Sequence, residues 1–200
     1  MLFRSIGMMR MLPGMVVINP CDFNQTKAAT IAIAAHHGPV YLRFGRPVVP
    51  NFTPADQHFQ IGKALLLNEG PDVSIFATGH LVWKAIEALE ILEQKGIHAE
   101  LINIHTIKPL DEKAIIDSVT KTGCAVSAEE HQIHGGLGDA IAQVLVRHRP
   151  APQEYVAVND SFGESGTPDQ LMKKYGLDAE NIVQAALRAI RRKKTELSHS

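Results

Sequence analysis

Short apolar runs alternate with longer stretches of helical periodicity along most of the chain. Val73 to Ala77 is one such run, bounded by Gly70-Pro71 and Gly79. Ala99 to Ile104 is apolar on both faces, as a strand covered by helices on both sides must be. Cys124 to Ala128 and Tyr155 to Val158 repeat the pattern. Between these runs, Val82, Ala85, Ile86, Leu89 and Leu92 share one face of a helix ending at Gly96. Leu110 to Val119 reads as a helix closed by Gly123, and Leu137 to Val146 as another. Thr167-Pro168-Asp169-Gln170 is a helix start, with a Thr cap, Pro at the first helical position and Gln completing the box. Asp178 then caps a last helix that turns Ile182, Ala185, Ala186, Ala189 and Ile190 inward. Strands separated by single helices imply right-handed crossovers. The expected fold class is therefore α/β, a mostly parallel sheet with helices on both faces.

The first third is shorter of elements: helix, strand, helix, strand. Met15 to Ile18 follows the Pro13-Gly14 turn, and Asp22 with Gln25 forms a D-x-x-Q cap for a helix through Ala28, Ala29, Ile31, Ile33 and Ala35. His36-His37-Gly38-Pro39 stops it, and Val40 to Phe44 is a second strand. Two strands and one long helix are too few to close a core. An apolar edge and face are expected there, to be covered by a partner or by further chain. RPVVPNFTPADQ holds three prolines without periodicity and reads as a linker. The expected division is a partial α/β unit at 1–46, a linker at 47–57, a complete domain at 58–194 and a tail at 195–200.

Composition narrows the class without naming a reaction. Hydrophobic residues make up 45% and charged residues 20% of 200, as in a soluble globular protein. A net charge of -1 gives no electrostatic reason to expect nucleic acid or anionic membrane. No apolar stretch approaches the ~20 residues of a membrane span. The Met-rich start is interrupted by Arg4, Arg10 and Pro13, unlike a signal peptide. Cys21 and Cys124 lack metal or redox spacing and read as two buried thiols of a cytoplasmic protein. The basic run Arg188 to Lys194 reads as a solvated helix end rather than a binding patch.

Four local motifs carry polar chemistry. ATGH (77–80) joins a strand to a helix and, lacking Lys or Arg, reads as a tight turn rather than an anion site. HGGLGD (134–139) lacks a following GK[ST] and is not expected to bind phosphate. In SAEEHQIHGG, Glu129, Glu130, His131 and His134 are candidates for metal binding or proton exchange. Without an HExxH helix, the preferred reading is a polar loop at a subunit contact. YLRFGRP (41–47) sends Arg43 and Arg46 from a strand end, where an arginine is well built to hold phosphate through paired N–H donors. The competing reading makes one of them a core ion pair and leaves the other exposed.

Longer segments carry a resemblance. IGMMRMLPGMVVINPCDFNQTKAA and GPVYLRFGRP resemble the end of the pyrimidine-binding domain of transketolases. INIHTIKPLDEKAI, SAEEHQIHGGLGDAIAQVL and NDSFGESGTPDQLMKKYGLDAENIV resemble their C-terminal domain, in the family's order, from about residue 6 to residue 194. The pattern is most similar to the separately encoded C-terminal subunit of many prokaryotes. That resemblance implies transfer of a two-carbon ketol unit between sugar phosphates, with thiamine diphosphate as electron sink and Mg²⁺ beside it. It implies an N-terminal partner subunit carrying the diphosphate-binding domain, and a homodimer contact through the C-terminal domain. It assigns the grip on the sugar phosphate to Arg46, and gives Arg43 no defined role.

The same resemblance places the glutamate that activates the aminopyrimidine, its stacking aromatics and a GEDG-type histidine loop upstream of the matching region. No segment here matches them or the GDG motif of the diphosphate domain. The chain is therefore expected to be N-terminally truncated, to hold no catalytic or metal-binding residue of its own, and to be inactive alone. Two alternatives stay open: a deoxyxylulose-phosphate synthase or 2-oxoacid dehydrogenase β-subunit fragment, and a non-catalytic assembly module.

Overall fold

The computed structural model describes residues 4–45 and 48–197, with side chains described through residue 195. Among these residues, eight strands form two sheets, accompanied by seven helices. The larger sheet contains β3 (Leu65–Asn68), β4 (Val73–Ala77), β5 (Ala99–Asn103), β7 (Ala125–Gln132) and β8 (Gln153–Val158), in the order β3-β5-β4-β7-β8. Its inner ladders are parallel, and only the edge strand β3 runs antiparallel to its neighbour. The mostly parallel α/β expectation holds.

All five residues of β4 are buried, because the strand is covered on both faces. Val73, Ile75 and Ala77 face α3 (Leu81–Gln94) and α7 (Ala179–Leu197), together with Leu92, Ile182 and Ala186. Phe76 faces α4 (Glu112–Thr122) and α5 (Leu137–His148), with Ile115, Val119 and Ile141. Ser74, on that second face, places its hydroxyl 2.6 Å from those of both Ser118 and Thr122, so the buried oxygen is satisfied. Each large side chain removed from water here contributes about 1.5–3 kcal/mol.

The helix ends follow the sequence signals. Gly123 closes α4 in the left-handed region at φ 73°, where a side chain would be strained. The Thr167–Gln170 capping box opens α6 (Pro168–Lys174). Asp178 accepts from the Asn181 N–H at the start of α7. The basic run is the far end of α7. Arg188 and Arg192 pair with Glu154, and Lys193 donates to the carbonyls of Asp72 and Thr122. Cys21 and Cys124 are both free and buried.

The second sheet has the order β2-β1-β6, with β1 (Val16–Ile18) parallel to β2 (Val40–Leu42) and antiparallel to β6 (Thr106–Lys108). Helices α1 (Ser5–Arg10) and α2 (Phe23–Ala34) accompany it. Neither β6 nor β3 is predicted by the sequence pattern. β6 has three residues and β3 lies in a run of leucines without alternation, so neither carries a strand signal of its own. The pairing of β6 with β1 covers one edge of the half-sheet with chain from beyond residue 58, and Ile6, Val17 and Ile107 form a small core there.

The Pro-rich segment is tied down at its far end. Asp22, the N-cap of α2, accepts from the Gln25 N–H and also from the N–H groups of Phe52 and Thr53 and the Thr53 hydroxyl. Gln25 does not close the expected box on Asp22 itself; its side-chain oxygen takes the Cys21 N–H, one residue earlier. Phe52 stacks on Trp83 of α3, with ring centroids 5.8 Å apart.

Candidate functional site

The two sheets meet at the C-terminal ends of β4 and β7. From β4 the chain leaves through α3 to β5 on one side, and from β7 through α5 to β8 on the other. This divergence opens the crevice where parallel α/β sheets usually bind ligands. Here the ends of β1 and β2 occupy it. Asn19, directly after β1, donates to the Thr78 hydroxyl from its side chain and accepts from the Gly79 N–H at its carbonyl. The ATGH turn is thus a turn, as expected, and its glycine N–H is spent on Asn19.

Arg43, directly after β2, lies across the same crevice with its side chain 9% exposed. It donates through Nη1 to Asn19 Oδ1 at 3.2 Å and through Nη2 to the Glu130 carbonyl at 3.2 Å. The Glu130 carboxylate stands 3.8 Å from Nη2. Glu130 also faces the His80 ring, with Nδ1 3.6 Å from Oε2. Burial pushes the Glu130 carboxyl upward while Arg43 opposes it, and burial followed by Arg43 lowers His80. His80 is accordingly the neutral partner of this group at pH 7.

The first six residues of SAEEHQIHGG, expected as loop, are instead the end of a strand, and only residues 133–136 loop into α5. β7 runs on to Gln132, and Glu129, Glu130 and His131 are all buried. Five polar or charged letters mask the strand period, and its register against β8 shifts between Ala128 and Gln132. Each side chain has a local task. Glu129 accepts the Leu137 and Gly138 N–H groups at the start of α5, both at 2.8 Å. Burial is the largest influence on it and raises its carboxyl to about 7. His131 accepts the Gly7 N–H at Nε2, so its proton is on Nδ1, donated to the Gln132 carbonyl. Arg10 of α1 donates to the carbonyls of Gly135 and Gly136. This motif is a seam between α1 and the larger sheet. Among the described residues, no group of three or more His, Cys, Asp or Glu is arranged to hold a metal ion.

Beside the crevice lies a cavity of about 510 Å³ lined by Pro20, Cys21, Asp22, Phe44, Val48 and His80, among others. Its walls are mainly apolar, and the Asp22 carboxylate is already committed to hydrogen bonds with Gln25, Phe52 and Thr53. Arg46, the expected phosphate contact, lies outside the described residues, between Gly45 and Val48, which both line this cavity. Arg43, given no role from sequence, is the core ion-pair arginine. No local motif points to Asn19, and His80 enters only as the last letter of the ATGH turn, because the partners of both are distant in the chain.

Comparison with known proteins supplies what local chemistry does not. Residues 62–182 match the family described as transketolase, C-terminal domain. The chain is 45% identical over 193 residues to the 6-deoxy-6-sulfo-D-fructose transketolase subunit SqwH of Clostridium sp. (strain MSTE9), covering 96% of this chain and 60% of that protein. It is 39% identical over 191 residues to a putative transketolase C-terminal section of Methanocaldococcus jannaschii, covering 94% of this chain and 60% of that protein. It superimposes on a solved split-gene transketolase, an inactive β4 tetramer, with a TM-score of 0.94 and 43% identity, covering 96% of this chain and 63% of that one. The chain thus spans about 60% of the length of these curated relatives.

Proposed function

The chain belongs to the transketolase family, and from that premise we propose that it serves as the C-terminal part of an assembly transferring a two-carbon ketol unit between sugar phosphates. The observation carrying this reading is similarity over 96% of the chain to a transketolase subunit, across both sheets rather than the C-terminal domain alone. In the proposed division, residues 1–46 belong to a pyrimidine-binding unit, 47–57 connect, and 58–194 form the C-terminal domain. An N-terminal subunit is the proposed partner, with a homodimer contact through the C-terminal domain.

Thiamine diphosphate, with Mg²⁺, supplies the electron sink for this chemistry when bound in the complete assembly. The described residues do not fit its diphosphate–metal end, since they hold no converging set of metal ligands. The contribution proposed for this chain is to the substrate. Arg46 is the residue proposed to grip the substrate phosphate through paired N–H donors. A charge-assisted arginine contact of this kind is worth about 1.5–3 kcal/mol.

Arg46→Ala in the complete assembly tests this. A rise in KM for xylulose 5-phosphate, with little change for xylulose, supports the phosphate role; unchanged KM and kcat reject it. The donor screen includes 6-deoxy-6-sulfo-D-fructose and apulose 4-phosphate, the sugars named for two relatives. It includes pyruvate as well, because a 1-deoxy-D-xylulose-5-phosphate synthase of Geobacter sulfurreducens is 35% identical over 186 residues. Turnover with pyruvate and not with ketoses would favour that second activity.

A further inference from the structure

We propose that His131 is a proton-controlled latch for α1: its neutral ring holds the start of that helix on the larger sheet, and uptake of a proton releases it. The latch sits in the seam where the first third of the chain docks beside the GGLG loop. It is independent of the substrate-phosphate reading.

Helix α1 is short, and its first turn has no side-chain cap of its own. Arg4, at the N-cap, makes no side-chain cap bond, so the early N–H groups of the helix need partners from elsewhere. The Gly7 N–H finds one 124 residues away, at His131 Nε2, 3.2 Å distant. The other ring nitrogen donates to the Gln132 carbonyl at 2.8 Å. This pair of bonds exists only for the neutral ring with its proton on Nδ1. A proton on Nε2 sets N–H against N–H, so this docking and the charged ring exclude each other. Gly7 brings the helix backbone close to the ring. A Cβ there would stand 3.4 Å from both His131 Cε1 and the Gly135 carbonyl oxygen.

Charged groups from several elements surround the ring. Arg10 comes from α1, Arg43 from the end of β2, and Glu129 from β7, with its Oε2 3.8 Å from Nδ1. Glu130 is the preceding residue of β7, and Asp139 of α5 accepts the Gly135 N–H close by. Burial is the largest influence on His131 and lowers it from its ordinary 6.5. The Gln132 and Arg4 carbonyls oppose this, and the two arginines add to it. Once released, the ring titrates near its ordinary value and binds more protons than the docked ring does. Docking is therefore fully favoured above about pH 6.5 and weakens as pH falls below it. Glu129 acts in the opposite sense, since its raised carboxyl binds a proton in the native state. At the far end of α1, Lys108 holds the carbonyls of Arg10 and Leu12, so release starts from the Gly7 end. It uncovers Ile6, which with Val17 and Ile107 forms the small core of the half-sheet. Acid thus loosens the first third from the larger sheet.

Hydrogen exchange of single amides tests this, read by NMR on the full nitrogen-15-labelled chain between about pH 8 and pH 5. Protection of the Gly7 amide, corrected for the intrinsic pH dependence of exchange, should fall by up to about tenfold per pH unit below 6.5, one proton being taken up on release. The Ile75 amide, inside β4, should keep its protection. The His131 ring nitrogens should titrate in step with the loss at Gly7. In His131→Gln, an amide oxygen replaces Nε2 as an acceptor that takes no proton, so Gly7 protection should stay level across the range. Level protection in the wild type would overturn the latch. A decline that persists in His131→Gln would overturn it too, by placing the titrating group elsewhere, at Glu129 or Glu130. A parallel fall at Ile75 would show global unfolding instead. Should the variant not fold, the wild type decides alone: a ring that titrates without loss at Gly7, or a loss at Gly7 without titration of the ring, overturns the proposal.

Discussion

Asp22→Ala removes the group that joins the start of α2 to the far end of the Pro-rich segment. Its carboxylate receives the Gln25 N–H at 2.8 Å, the Phe52 N–H at 3.0 Å, the Thr53 N–H at 2.8 Å and the Thr53 hydroxyl at 2.7 Å, with the residue 4% exposed. Losing the N-cap costs about 1 kcal/mol. Stranding the Thr53 N–H, which is buried, costs about 1–3 kcal/mol more. Phe52 N–H is only partly buried and finds water, and the Thr53 hydroxyl still accepts from Gln57 Nε2 at 2.7 Å, so these two add little. The expected total is about 3 kcal/mol, a large part of the ~5–15 kcal/mol that stabilises an ordinary domain. Urea unfolding followed by tryptophan fluorescence measures it, and the single Trp adds a local signal. Because Phe52 stacks on Trp83, releasing residues 52 and 53 should also change the emission of the native state. Asp22→Asn keeps one acceptor oxygen and should cost less than Asp22→Ala. A loss below about 1 kcal/mol for Asp22→Ala, with unchanged native emission, would refute this account of the clasp.

Other consequences are equally direct. Burial raises the Glu129 carboxyl to about 7 from its ordinary 4.5, so the native state binds a proton between those values that the unfolded chain does not. Stability therefore falls as pH rises through that window, by roughly 3 kcal/mol. Buried histidines such as His105, lowered to about 4, act in the opposite direction over part of the same range. The wild-type unfolding free energy minus that of Glu129→Gln cancels them. That difference should decline from pH 4.5 to pH 7.5, and a flat profile would argue against an ionising Glu129. Gly138→Ala would raise helix propensity in α5, yet its Cβ would meet the Tyr155 ring. Calorimetry should show Tm lowered by about 4 °C from overpacking of 1–2 kcal/mol, where propensity alone predicts a rise. Adding Tyr155→Leu should recover part of the loss.

The larger sheet is tied closely to the first third of the chain. Its polar strand end, GGLG loop and switch-point crevice are all engaged with chain from the first third: Gly7 and Arg10 at one place, Asn19 and Arg43 at another.

Much of this molecule is determined by its sequence alone. Val73–Ala77, the Gly123 closure, the Thr167–Gln170 box and the Asp22 cap are signals read within a few residues, because they depend on side-chain period, backbone φ and hydrogen bonds between near neighbours. The run of family segments is equally local, and its resemblance to transketolases is legible in the sequence alone. Only the tertiary structure decided the rest. β6 becomes a strand because β1 lies beside it, not through its own three residues. EEHQ is strand with its first three residues buried, although its letters read as loop, because the Glu129 carboxylate caps α5, the Glu130 carbonyl takes Arg43 and the His131 ring takes the Gly7 N–H. Arg43 finds Glu130 across 87 residues of chain. A hydrogen bond between such distant groups is specified by the path of the whole backbone, and no window along the sequence contains both ends.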